Sequence, residues 1–147
     1  MNQSLFLFAS IADAPIAVRA SEVEAVVRLG DIVPVPLAPA HVRGLAALRS
    51  RVLTVIDMEA RIFGKGGLDE SASLAIIANI AAHSYGFLVD SVSDICLAPA
   101  DAQPVHGRVD PAWAPFVAGL VEHDDRSHLL VTLADFAAAA GTGALAA

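Results

Sequence analysis

The chain has one cysteine, Cys96, so it can close no internal disulfide and carries no Cys-x-x-Cys pair for zinc or redox chemistry. Basic residues are also scarce. Nine Lys and Arg face sixteen Asp and Glu, a net charge of −7 that opposes attraction to phosphate backbones and anionic headgroups and argues against nucleic acid as a partner. A basic run ahead of Leu5-Phe6-Leu7-Phe8 is missing, and Asp13 cuts the apolar stretch short, so no export signal is read there. The longest uncharged stretch, Ser71 to Val89, is interrupted by Asn79, His83, Ser84, Tyr85 and Gly86, which points to two strands around a turn instead of a membrane span.

Motifs for chemistry are equally thin. Gly64-Lys65-Gly66-Gly67 lacks the GxxxxGK[ST] spacing of a phosphate cradle, because Lys65 is followed by glycine and not by a hydroxyl residue. No Gly-x-Ser-x-Gly elbow activates a serine, and no His-x-x-x-His pair presents two imidazoles on one helix face. The five histidines are scattered; the densest group, His123-Asp124-Asp125 with His128, falls in a predicted hairpin turn and reads as solvated. Cys96, between Ile95 and Leu97, reads as a buried packing thiol. With no acid, base or nucleophile assembled, the expectation is no catalysis, no cofactor and no resident metal.

What is present is apolar surface: 56% hydrophobic residues, 17% charged ones and a mean hydropathy of +0.62 require a folded core. Charge is lopsided, +1 over residues 1–65 and −8 over residues 66–147, a dipole suited to oriented docking. Short β-branched runs separated by turn residues predict strands at Ser4–Ser10, Ile16–Val18, Ala72–Ile80, Tyr85–Val89, Val92–Leu97, Val117–Glu122 and His128–Thr132. Ser21-Glu22-Val23-Glu24 has the spacing of a capping box before an extended Val26-Val27. Pro34, Pro36 and Pro39 confine Ile32 to Pro39 to a loop or sheet edge. Leu45–Leu48 and Val52–Ile56 form a hairpin with the basic tip Arg49-Ser50-Arg51. Asp57 caps a helix Met58–Phe63 that Gly64 ends, Lys65–Gly67 opens a mobile loop, a terminal helix starts at Leu133, and residues 141–147 fray.

The run Pro39-Ala40-His41-Val42-Arg43-Gly44-Leu45-Ala46-Ala47-Leu48-Arg49-Ser50-Arg51-Val52-Leu53-Thr54-Val55-Ile56-Asp57-Met58 resembles the signature P-x-x-[VI]-[RK]-G-[VL]-x-N-L-R-G-x-[VI]-L-P-[VI]-[VI]-D-[LM] of the CheW family of bacterial chemotaxis coupling proteins. Leu5–Phe8 with Ile16 through Val26, Gly86–Ile95 and Gly119 through Leu133 follow in family order, so the resemblance covers about Leu5 to Ala138. It implies a mainly β fold: two SH3-like five-stranded barrels around a shared hydrophobic core, with short helices and a C-terminal helix, forming one domain over residues 4–140. It also implies a cytoplasmic, non-enzymatic adaptor that joins the cytoplasmic tip of a methyl-accepting chemoreceptor to the regulatory domain of a CheA-type histidine kinase. Nucleic acid and direct membrane insertion play no part in that role.

By position in the resemblance, the candidate protein-binding residues are Arg49, Arg43, Gly44, Val23, Val26 and Val92. Gly44 and Asp57 carry a plainer reading as well, backbone geometry and helix capping. Arg51 is expected to matter less than Arg49. The chain departs from the signature at Ala47, Ser50 and Thr54, where Asn, Gly and Pro are usual. If the family's glycine takes a positive φ, Ser50 must strain or reshape the turn. The alternative class is a β-barrel binding a small ligand or metal through its histidine-rich turns.

Overall fold

The computed structural model describes residues 3–64, 73–99 and 110–141, with side chains to Ala137. Expectations for Lys65–Gly67 and for residues 142–147 of the tail lie outside these residues. The strands are β1 (Gln3–Ile11), β2 (Ala14–Arg19), β3 (Ala25–Arg28), β4 (Ile32–Val33), β5 (Val42–Leu48), β6 (Arg51–Asp57), β7 (Leu74–Ile80), β8 (His83–Leu88), β9 (Ser91–Pro99), β10 (Val117–His123) and β11 (Arg126–Val131). The helices are α1 (Met58–Phe63) and α2 (Leu133–Gly141), with 3-10 turns at Ala20–Glu22 and Ala114–Phe116.

Two sheets result, ordered β10-β11-β2-β1-β9 and β3-β7-β8-β6-β5-β4. The first has the expected five strands; the second adds the two-residue β4 to five longer ones. Both curl. A flat six-stranded sheet would hold β3 and β4 about 24 Å apart, yet the four Cα steps from Arg28 to Ile32 span at most about 15 Å. In the first sheet the edge strands β9 and β10 approach until Cys96 Sγ lies 3.1 Å from His123 Nε2, where a flat sheet would separate them by about 19 Å.

Curling gives each sheet an inside and an outside, and the apolar sequence serves both. Along β1, Phe6 and Phe8 point into the first barrel with Ala17, Ala98, Val121 and Leu130. The alternate residues Leu7, Ala9 and Ile11 point out, against the second sheet. Along β7, Ala75 and Ile77 fill the second barrel with Leu29, Leu53, Val55 and Leu88, while Ile76 and Ala78 face back toward the first. Strands buried on both faces lose polar alternation, which is why Leu5–Ala9 and Leu74–Ala78 read as continuous apolar runs. The shared core between the barrels is closed by Met58 and Ile62 of α1, by Trp113 and Phe116, and by Leu133 and Phe136 of α2.

Local chemistry sets the ends of the elements. Asp57 Oδ1 accepts the Ala60 N–H at 3.1 Å, and Gly64, at φ 86°, ends α1 in the left-handed conformation, as its sequence predicts. The Ser21–Glu24 capping box does not form: the turn begins at Ala20 without a side-chain cap, and Glu24 is drawn to Arg51 instead. Glu22 reaches across the molecule to accept the Leu133 N–H at 2.9 Å, serving the start of α2. Ala12-Asp13, Ala81-Ala82 and Asp124-Asp125 all take positive φ, the two-residue hairpin turn whose twist suits flanking strands. Among the described residues, no helix is long and apolar enough to cross a membrane.

Candidate functional site

The β5–β6 hairpin carries most of the candidate residues, and its two ends do different things. At its base β5 bulges between Val42 and Gly44. A Cβ on Gly44 would stand 2.2 Å from the carbonyl oxygen of Val33, so glycine at this position lets β4 lie against β5. The backbone there also holds φ at 152°, outside the range side chains favour. Arg43 Nη2 donates to Asp57 Oδ2 at 2.9 Å, with the arginine side chain 22% exposed and the carboxylate essentially sealed. Asp57 therefore serves two masters, the α1 N-terminus and the β5 arginine. Arg43 and Gly44 thus have full internal roles at the foot of the hairpin.

At the tip, the two-residue turn is Arg49-Ser50. The positive φ, 57°, falls on Arg49, so Ser50 does not occupy the strained position that its replacement of glycine suggested. Arg49 is exposed, and no carboxylate among the described residues lies within ion-pair distance of it. The next residue but one is anchored: Arg51 donates from Nη1 to Glu24 Oε1 at 3.0 Å and from Nη2 to Glu24 Oε2. Glu24 also accepts from Asn79 Nδ2 at 2.7 Å, and Asn79 Oδ1 accepts from Ser84 Oγ at 2.7 Å. The Arg51 hydrogen bond holds the Glu24 carboxyl below its usual range. Arg51 is consequently no neutral neighbour of Arg49; it ties the hairpin tip to the segment before β3 and to the β7–β8 hairpin. Sequence reasoning missed Glu24, Asn79 and Ser84, since the spacings of 27 and 55 residues carry no local signal.

The three valines lie elsewhere. Val23, Val26 and Val92 are half-buried at the margin of the shared core, Val26 pairing with Ile76 on the edge strand β3 and Val92 with Ala9 on β9. Arg43 and Arg49 are about 20 Å apart along β5, so the six candidates form no single cluster. A separate apolar strip was not anticipated: Leu5 pairs with Leu97 across β1 and β9, Ile95 lies two residues along, and the three are 50%, 57% and 52% exposed. They continue the outward face of β1 past the point where the second barrel covers it. The histidines also depart from expectation. His128 is 7% exposed, and His123 is half-buried and stacked on Phe8 with ring centroids 4.4 Å apart. Cys96 is half-buried beside His123 and not sealed in the core.

Two curled sheets sharing one core, with a cation held out on an anchored hairpin and an apolar strip at a sheet edge, define a double-barrel β module. A family model described as the CheW-like domain matches residues 5–140. The chain belongs to that family. It is 34% identical over 101 residues to the chemotaxis protein CheW of Rhizobium meliloti, a match covering 68% of this chain and 65% of that protein. It is 26% identical over 114 residues to the chemotaxis protein CheW of Treponema pallidum, covering 74% of this chain and 66% of that one. The aligned regions thus span just under two-thirds of these relatives. The fold matches the crystal structure of the scaffolding protein TtCheW from Thermoanaerobacter tengcongensis with a TM-score of 0.73 at 24% identity, over 88% of this chain and 89% of that one.

Proposed function

We propose that the chain is a non-enzymatic coupling scaffold of bacterial chemotaxis, a single domain over residues 4–140. It joins the cytoplasmic tip of a methyl-accepting chemoreceptor to the CheW-like regulatory domain of a CheA-type histidine kinase, and it works in the cytoplasm, held at receptor arrays by its partners. The observation that carries this reading is Arg49. Its exposed guanidinium stands where the family signature has its arginine, on a hairpin fixed at Arg51. A charge held out in this way presents its donors to an acidic partner with little ordering left to do on binding. The Leu5, Ile95 and Leu97 strip supports a second, apolar contact, which we assign to the kinase domain; Val23, Val26 and Val92 remain candidate contacts at the margin of the core, away from the hairpin tip. Contacts between small modules are individually modest and gain strength through multivalency in an array.

Calorimetry with the cognate receptor tip and kinase domain tests the scheme. Arg49→Ala should weaken receptor binding about 5- to 150-fold, the effect of losing one paired interface arginine, with the melting temperature unmoved. Absence of kinase-domain binding at high concentration refutes the coupling role; unfolding of Arg49→Ala refutes the contact role.

A further inference from the structure

The seam of the first barrel is a second place where the fold gathers chemistry. Strands β9 and β10 are the two ends of their sheet, and where the curl brings them together the meeting is made by side chains. Asp94 and Cys96, two residues apart on β9, share one face of the strand. His123 ends β10 opposite them. Cys96 Sγ is 3.1 Å from His123 Nε2 and 3.8 Å from Nδ1, and with a carboxylate oxygen of Asp94 the ligating atoms all lie within 4.8 Å of one another. We propose that Asp94, Cys96 and His123 form a binding site for one Zn²⁺ ion, which would staple the open edge of the first barrel in addition to any coupling role.

Geometry and donor chemistry both support this. A tetrahedral zinc with Zn–S of about 2.3 Å and Zn–N of about 2.0 Å holds sulfur and nitrogen about 3.5 Å apart, and the two ring nitrogens of His123, at 3.1 and 3.8 Å from the sulfur, bracket that distance. Thiolate, imidazole and carboxylate together suit zinc better than the hard cations, which prefer oxygen alone. The fourth position falls to water or to Asp124, whose Oδ2 is 3.3 Å from His123 Nε2 and whose side chain is 84% exposed and able to swing.

The surroundings hold the donors in place. The His123 ring lies nearly parallel to that of Phe8, at 11°, and Asp94 Oδ1 is fixed by the Ile95 N–H at 2.8 Å. His128 packs edge-on against Phe8 with its ring centroid 6.1 Å from that of His123, and burial keeps it neutral to lower pH than usual. Arg126 faces His123 in the β10–β11 register, a single positive charge set against Asp94, Asp124 and Asp125. Partial burial and then the charge of Asp94 push the Cys96 thiol up, so the free protein carries the protonated sulfur. As the S–Zn bond forms, the S–H bond breaks and its proton passes to solvent.

The test uses the full chain, reduced, titrated with Zn²⁺ against a chromogenic chelator and separately with Co²⁺ as a spectroscopic stand-in. One ion per chain and a thiolate-to-cobalt charge-transfer band are expected. Cys96→Ser and His123→Gln should lose that band and weaken zinc by about 100-fold or more, while His83→Gln, on the other barrel, leaves both unchanged. Asp94→Asn should weaken zinc by about tenfold. If the parent protein gives no thiolate band, or Cys96→Ser binds zinc as tightly as the parent, the site is overturned and the cluster is a hydrogen-bonded seam only. The parent spectrum decides the matter even if a variant fails to fold.

Discussion

Arg43 and Asp57 should behave as one clamp, and a double-mutant cycle measures it. Asp57→Ala deletes the cap on α1, about 1 kcal/mol, and takes the carboxylate from beside a guanidinium that is 22% exposed, for a total of about 3 kcal/mol. Arg43→Met leaves a sealed carboxylate with the Ala60 N–H but without its cation, again about 3 kcal/mol. The double variant leaves neither charge orphaned, so it should cost no more than either single, about 3 kcal/mol at most and not about 6, a coupling of at least about 3 kcal/mol. For a chain of this size each kcal/mol moves the melting temperature by about 3 °C, so each single should melt about 9 °C below the parent and the double no lower than either. Thermal unfolding by circular dichroism reads this directly, and receptor-tip titration of the folded variants should show affinities like the parent's. Additive losses would refute the clamp. So would an Arg43→Met protein that melts normally but binds poorly, which would make Arg43 a contact residue.

Gly44→Ala must push β4 away from β5, because the new methyl would meet the Val33 carbonyl; a loss of about 2–4 kcal/mol and a melting point lower by about 6–12 °C are expected. A parent-like melting curve would show that β4 yields freely. Arg51→Ala should destabilise the chain at neutral pH and loosen the hairpin tip, weakening receptor binding indirectly. Because Glu24 has a depressed pKa when folded, the stability it lends is complete above the ordinary carboxylate value of about 4.3 and is lost as pH falls through the lower folded value. Denaturant unfolding of parent and Arg51→Ala should therefore differ at pH 7 and converge in acid; a gap that persists at low pH would place the effect elsewhere.

Elements set by near neighbours were legible in the sequence. Asp57 and Gly64 bracket α1 at the residues expected, the prolines after Val33 leave only a two-residue edge strand, and the β5–β6 hairpin turns at Arg49-Ser50. What eluded it depends on strands distant in sequence. Periodicity could not show that β1 pairs with β9, about ninety residues on, or that the sheet then curls to bring β9 to β10, so the closeness of Cys96 to His123 was hidden and the thiol read as plain core. Glu24 read as part of a local cap because Ser21 stands three residues before it; the stronger attraction, a guanidinium brought alongside by the second sheet, exists only once the barrel closes. For the candidate contacts, the signature marked Arg43 and Arg49 alike, and only burial separates the clamp from the exposed tip.

The two sheets are nested in the chain, the second made from residues 25–88 and the first from the segments on either side of it. On a ribosome, which releases residues in order, every strand of the inner sheet has been made before β9 begins. The outer one must wait for β10 and β11, with Phe6 and Phe8 synthesised more than a hundred residues ahead of Val121 and Leu130, which share their pocket. Pairings so distant in sequence make for slow closure, and until then β1 and β2 offer apolar faces to whatever is near. The organisation that lets one core serve two barrels thus makes the nascent amino-terminal hairpin the part of this chain most in need of shelter from aggregation.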